Sequence, residues 1–82
     1  MIYSVQIRAA RGLIAWSQQE LAEAAQIGLA TVKRMEASPG LLMGNAGNIW
    51  RVKDALEARG VVFVEAGADG GPGVRLREIP AG

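Results

Sequence analysis

Apolar residues recur at helical spacing over the first sixty positions, and then the period changes. Ile7, Ala10 and Ile14 stand three and four residues apart, with Ser4 placed as an N-cap, and predict a first helix from about Val5 to Leu13. A second helix has the clearest start signal in the chain. Ser17-Gln18-Gln19-Glu20 forms a capping box, and Trp16 and Leu21 occupy the two positions of a hydrophobic staple. Such a cap contributes about 1 kcal/mol. This helix is expected to end near Ala24 or Ala25. After a short connection through Gln26 and Ile27, Gly28 serves as the next N-cap, with Ile27 and Val32 as its staple. The third helix runs to about Ala37, where Ser38-Pro39-Gly40 stops it. The stretch Leu41 to Gly47 reads equally as a loop or a helical turn. A fourth helix from about Ala46 to Arg59 carries the stripe Ile49, Val52 and Leu56, with Trp50 off that stripe and Gly60 as its C′ residue.

Beyond Gly60 the period shortens to two. Val61-Val62-Phe63-Val64 is β-branched and aromatic, Val74 to Arg77 alternates, and Gly67 to Gly73 between them is turn chemistry. These signals predict a mainly α fold: four helices over residues 1–60 and a C-terminal β-hairpin over 61–82. The hairpin either closes on the helices as part of the same domain or pairs across a dimer.

At 82 residues, half of them hydrophobic, the chain forms one small domain with a packed core, and dimerisation would add stability. Cysteine and histidine are absent, which removes disulfides, thiolate and imidazole metal sites, and any Cys/His or Ser-His-Asp catalysis. That composition agrees with a cytoplasmic location. Nothing at the N-terminus has the pattern of a signal peptide, and the longest uncharged stretch, Ala37 to Trp50, is too short and too broken by Pro, Gly and Asn to span a membrane. Net charge is only +1, low for a nucleic-acid binder. Residues 1–60 hold seven of the nine Lys/Arg against five Asp/Glu, so any basic surface lies there, segregated by face.

Two short capped helices joined by about three residues are how a helix-turn-helix is built; the first braces across phosphates and the second enters the major groove. In the third helix Val32 and Met35 point one way. Ala30, Lys33, Arg34 and Ala37 cluster on the other side, with Leu29 at the margin. Small side chains let a helix approach the groove floor, and Lys and Arg reach guanine O6 and N7 or phosphate. An ordinary solvated face has the same periodicity; the capped pair with its short turn favours the DNA reading.

The residues Ser17-Gln18-Gln19-Glu20-Leu21-Ala22, then Ile27, then Thr31-Val32-Lys33-Arg34-Met35-Glu36 resemble the Cro/CI (Xre-type) helix-turn-helix family, over about residues 5–37. The tail, with Ala55-Leu56-Glu57, Gly60-Val61, Phe63 and Gly71 to Leu76, looks like the ending of many small proteobacterial regulators of that type. The resemblance implies a lambda-repressor-like four-helix fold. It implies Gly28, Leu29, Ala30, Lys33 and Arg34 facing bases, and phosphate contacts from Gln18, Gln19, Thr31 and Ser38. Arg8 either touches phosphate or is a plain surface arginine. Arg11 and Glu36 match a family pair that bridges the first and third helices; the alternative is two exposed charges. Three departures stand out. Gln26 occupies a turn position often held by Gly and must adopt a left-handed conformation or reshape the turn. Gly28 replaces Ser or Thr, and Leu29 and Ala30 replace polar base readers. Readout would then lean on thymine methyl contact, Arg34 and DNA shape.

The expected function is a repressor that binds a palindromic operator as a homodimer, with Trp50, Phe63 and Val64 at the dimer surface. Trp50 reads equally as a residue capping the core. Arg75 and Arg77 solvate the hairpin or contact DNA backbone. The alternatives are an autoregulating antitoxin with a toxin partner, and a protein-interaction module without DNA binding. Gly67 to Gly73 lacks the Lys-Ser/Thr of a P-loop, and Glu20, Glu23, Glu36 and Asp54 have no metal-ligand spacing. No enzymatic activity, metal, cofactor, membrane or small-molecule ligand is expected.

Overall fold

A computed structural model describes residues 1–81. The element order is α1 (Ser4–Ile14), α2 (Gln18–Ala25), α3 (Leu29–Ala37), α4 (Ala46–Ala58), β1 (Val61–Val64) and β2 (Gly73–Leu76). The chain is thus mainly helical, with one two-stranded antiparallel sheet.

Local chemistry sets most of the boundaries. The capping box of α2 is present: Glu20 N–H donates to Ser17 Oγ at 3.0 Å, and Ser17 N–H donates to Glu20 Oε1 at 2.9 Å. Helix α2 ends in a Schellman arrangement. Gln26 is left-handed with φ 59°, its N–H donates to Glu23 O, and Ile27 N–H donates to Ala22 O. Helix α1 ends the same way through left-handed Ala15 and Trp16. At α4, Asn45 caps by accepting from Asn48 N–H at 3.0 Å.

The start of α1 departs from the sequence expectation. Tyr3, not Ser4, is the N-cap, and Ser4 is the first helical residue and is buried. The reason lies elsewhere in the chain. The loop before α4 folds back on the N-terminus, so Ser4 N–H donates to Gly40 O and Leu42 N–H to Ile2 O. Capping passes to Gln6, whose Oε1 accepts from Tyr3 N–H at 2.8 Å. Residues 41–45 are therefore a loop, pinned by an isolated antiparallel bridge between Tyr3 and Leu41.

The hairpin register pairs Val61 with Leu76, Val62 with Arg75, Phe63 with Val74 and Val64 with Gly73. Alternation therefore puts Val61, Phe63, Val74 and Leu76 on one face. Val61 joins the core, with Phe63 and Val74 packed against it. Gly60, at φ 93°, makes the sharp passage from α4 into β1, a conformation that glycine adopts without strain. Ile7, Leu21, Val32, Val52 and Leu56 are completely buried at the centre. Burying each such side chain contributes about 1.5–3 kcal/mol. Helix α2 packs between α3 and α4, while α1 packs on α3 and on the hairpin.

Gln6 completes the assembly. It is 2% exposed, and its amide donates to Val64 O at 3.3 Å and to Gly73 O at 3.0 Å. One side chain thus ties the start of α1 to both strands. No helix among the described residues is long and apolar enough to cross a membrane.

Candidate nucleic-acid interface

Helix α3 is held by α1 and α2 through a buried polar knot. Glu36 is 6% exposed, although carboxylates avoid burial unless paired. Arg11 reaches it in a fork: Nε donates to Oε2 at 2.6 Å and Nη2 to Oε1 at 2.7 Å. Gln18 Nε2 donates to Oε1 at 3.1 Å, and Arg11 Nη1 donates to Trp16 O at 2.9 Å. The hydrogen bond to Glu36 raises the pKa of Arg11; desolvation opposes it, and the attraction of the carboxylate adds to the rise. Arg8 also turns to this helix, donating from Nη1 to the backbone carbonyl of Glu36. A cation on a last-turn carbonyl satisfies an orphan acceptor and complements the helix dipole.

This fixing orients the rest of α3. Val32 is fully buried, and Leu29 and Met35 are half-buried against the core. Ala30, Lys33, Arg34 and Ala37 are exposed. The ion pairs among the described residues are Met1 N-terminus with Glu65, Arg11 with Glu36, and Lys53 with Glu57, so neither Lys33 nor Arg34 belongs to one. Arg34 Nη2 donates to Thr31 Oγ1 at 3.2 Å, and Ser38 Oγ donates to Arg34 O at 2.9 Å, closing the end of the helix.

Three expected contacts are placed differently. Leu29 turns toward the core rather than outward, because its direction on the helix adjoins that of Val32 and Glu36. Arg8 has its guanidinium on α3 rather than pointing away. Phe63 lies on the inner face of the hairpin, whereas Val64 and Trp50 are exposed, Trp50 at 58%. Gln18 is half-buried and spends one amide hydrogen on Glu36, while exposed Gln19 donates to Glu23 Oε2 at 3.0 Å. Gly28 is exposed, and Thr31 is half-buried.

The sequence reading missed a groove of about 270 Å³ beside α3, where Thr31, Arg34 and Ser38 face Met43, Asn45 and Asn48 of the next loop and helix start. The signal for it was Asn45, an N-cap residue three positions before Asn48. A second groove, of about 310 Å³, is lined by Met1, Ile2, Leu41, Ile49, Trp50 and Lys53 among others, with Lys53 Nζ 5.0 Å from the Trp50 ring centroid. Among the described residues no group of three His, Cys, Asp or Glu side chains is placed to hold a metal ion.

The site therefore offers one exposed helix face with two methyl side chains and two unpaired cations, braced from behind by a neutralised carboxylate. The protein it belongs to is a small, mainly helical domain with a C-terminal hairpin. The chain matches no protein-family model and no curated protein.

Proposed function

We propose that this chain is a sequence-specific transcriptional regulator, a repressor, that binds double-stranded DNA through a helix-turn-helix of the Cro/CI (Xre) kind formed by α2 and α3. The observation that carries the reading is the exposed face of α3: Ala30 and Ala37 outermost, Lys33 and Arg34 beside them, and no ion pair among the described residues engaging either cation. A helix with small outermost residues lies deep in a major groove, where long cations reach base edges and phosphates. Gln18 and Gln19, at the start of α2, each keep a second amide hydrogen for the flanking DNA backbone. A single helix of this length covers too little DNA for tight specific binding, so the active form is a homodimer on a palindromic operator, with α3 helices about 34 Å apart. Trp50 and Val64 supply its exposed apolar contacts. The protein performs no catalysis and acts in the cytoplasm, on the nucleoid.

Anisotropy titration of the protein against duplexes from the DNA upstream of its own gene tests the reading. One duplex binds in preference to its scrambled version, and affinity falls steeply between about 50 and 200 mM salt. Equal, salt-insensitive binding to both refutes it. Arg34→Ala weakens the specific complex by about 1–3 kcal/mol and relaxes the preference at one base pair. The second reading is an antitoxin or other protein-binding module, favoured by the exposed Trp50, Met1 and Met43. It becomes the better one if the titration shows no DNA binding.

A further inference from the structure

The exposed residues of α3 are Ala30, Lys33, Arg34 and Ala37. On a helical projection Ala30 and Ala37 lie within about 20° of each other, and the two cations flank them on opposite sides. None of the four side chains contains a hydrogen-bond acceptor. The carboxylate of the helix, Glu36, is buried and bonded by Arg11 and Gln18. The Thr31 hydroxyl accepts from Arg34. The four exposed side chains thus present methyl groups and donors only, and the hydroxyl of half-buried Thr31 is turned to Arg34.

Base edges in the major groove divide on the same chemistry. Guanine shows the acceptors N7 and O6, and thymine shows O4 and a methyl group. The N6 amine of adenine and the N4 amine of cytosine are donors that need an acceptor from the protein. We propose, resting on the DNA-binding reading above, that α3 selects guanine and thymine edges and leaves the amino groups of adenine and cytosine unread. Arg34 takes the guanine. Its bond to Thr31 fixes the guanidinium on the helix surface while leaving the other N–H groups free for N7 and O6. Ala30, in the first turn of α3, packs on a thymine methyl, since the N-terminal part of such a helix reaches the base edges.

The test uses the full chain and a selection from a random-sequence duplex library, followed by resynthesis of the enriched site with base analogues. 7-Deazaguanine removes the N7 acceptor, uracil removes the thymine methyl, and 2-aminopurine opposite thymine moves the amine out of the major groove while keeping the pair. The expected result is a loss of about fivefold or more for 7-deazaguanine at one position and about fourfold for uracil at another. 2-Aminopurine changes affinity by less than about twofold at every position. Ala30→Gln introduces an acceptor at an exposed position, and this variant acquires sensitivity to 2-aminopurine. Loss on 2-aminopurine in the unaltered protein, with uracil and 7-deazaguanine neutral, overturns this inference alone. Enrichment of no duplex sequence overturns it together with the DNA reading.

Discussion

Replacing Arg11 with methionine leaves the Glu36 carboxylate in the interior with one amide for a partner. The Glu36 side chain is 4% exposed and that of Arg11 21%, so the pair is buried mainly on the acidic side. Removing one member of a buried pair costs about 3–5 kcal/mol, and the partial exposure of Arg11 places this case near 3 kcal/mol. A chain of this length has a total stability of about 4–12 kcal/mol. The loss is therefore a large fraction of the whole and lowers the melting temperature by roughly 10–20 °C. Urea unfolding followed by Trp fluorescence measures it, with Trp16 a local reporter because Arg11 bonds its carbonyl. The decisive comparison is the double variant. Glu36→Leu added to Arg11→Met removes the orphaned charge and recovers more than half of the loss. Arg11→Lys keeps the charge but not the fork, and recovers less. The sign of the pH dependence follows from the raised pKa of Arg11: the stabilisation is complete below the ordinary arginine value and is lost only above it. Titration of Arg11 itself therefore contributes no change to the gap between the native chain and Arg11→Met in the neutral range. A loss below about 1 kcal/mol for Arg11→Met, or strict additivity in the double variant, would show an exposed-type pair and refute the reasoning.

Gln6→Leu strips partners from Tyr3 N–H, Val64 O and Gly73 O and destabilises the fold by about 2–3 kcal/mol; amide exchange at Tyr3 rises with it. Gln26→Gly relieves a left-handed residue at the end of α2 and stabilises by about 1 kcal/mol, read as a higher melting temperature. In DNA titrations Lys33→Ala lowers the logarithmic salt slope by about one if Lys33 meets phosphate, whereas Asp69→Asn in the hairpin loop leaves it unchanged.

What the chain discloses on reading is what is decided within a few residues. The capping box of α2 joins Ser17 to Glu20, and the direction of Val32 follows from helical period alone. Gln26 stands where the chain needs either a left-handed residue or a reshaped turn, and it takes the left-handed conformation. What stays hidden depends on residues far apart. Gln6 reads as an ordinary polar residue of a helix, yet its amide partners stand 58 and 67 positions away. Ser4 has the chemistry of a cap, but the return of residues 40–42 draws its backbone N–H into a different bond. Arg8 lies on an outward direction by period, and only its length and the nearby end of α3 bring it inward. Helical projections give the direction of a Cβ, not the destination of a long side chain.

A net charge of +1 looks inadequate for DNA, but the sum mixes charges that DNA would meet with charges it would not. Within α3 the single acid is buried and matched by Arg11, which leaves Lys33 and Arg34 outward and outside the ion pairs found among the described residues. Glu57 is engaged by Lys53 on α4, and Glu20 is occupied as a helix cap. Glu65, Asp69 and Glu78 lie on or beside the hairpin, which packs on α1 and α4. At physiological salt, exposed charges separated by more than about 8 Å are largely screened from one another. Glu23 on α2 and Asp54 on α4 are exposed, so the charge presented around α3 depends on which side chains share its face, not on the chain total. The burial of Glu36 thus has two consequences of one arrangement: it locks α3 against α1, and it keeps a carboxylate off the face that we propose meets DNA.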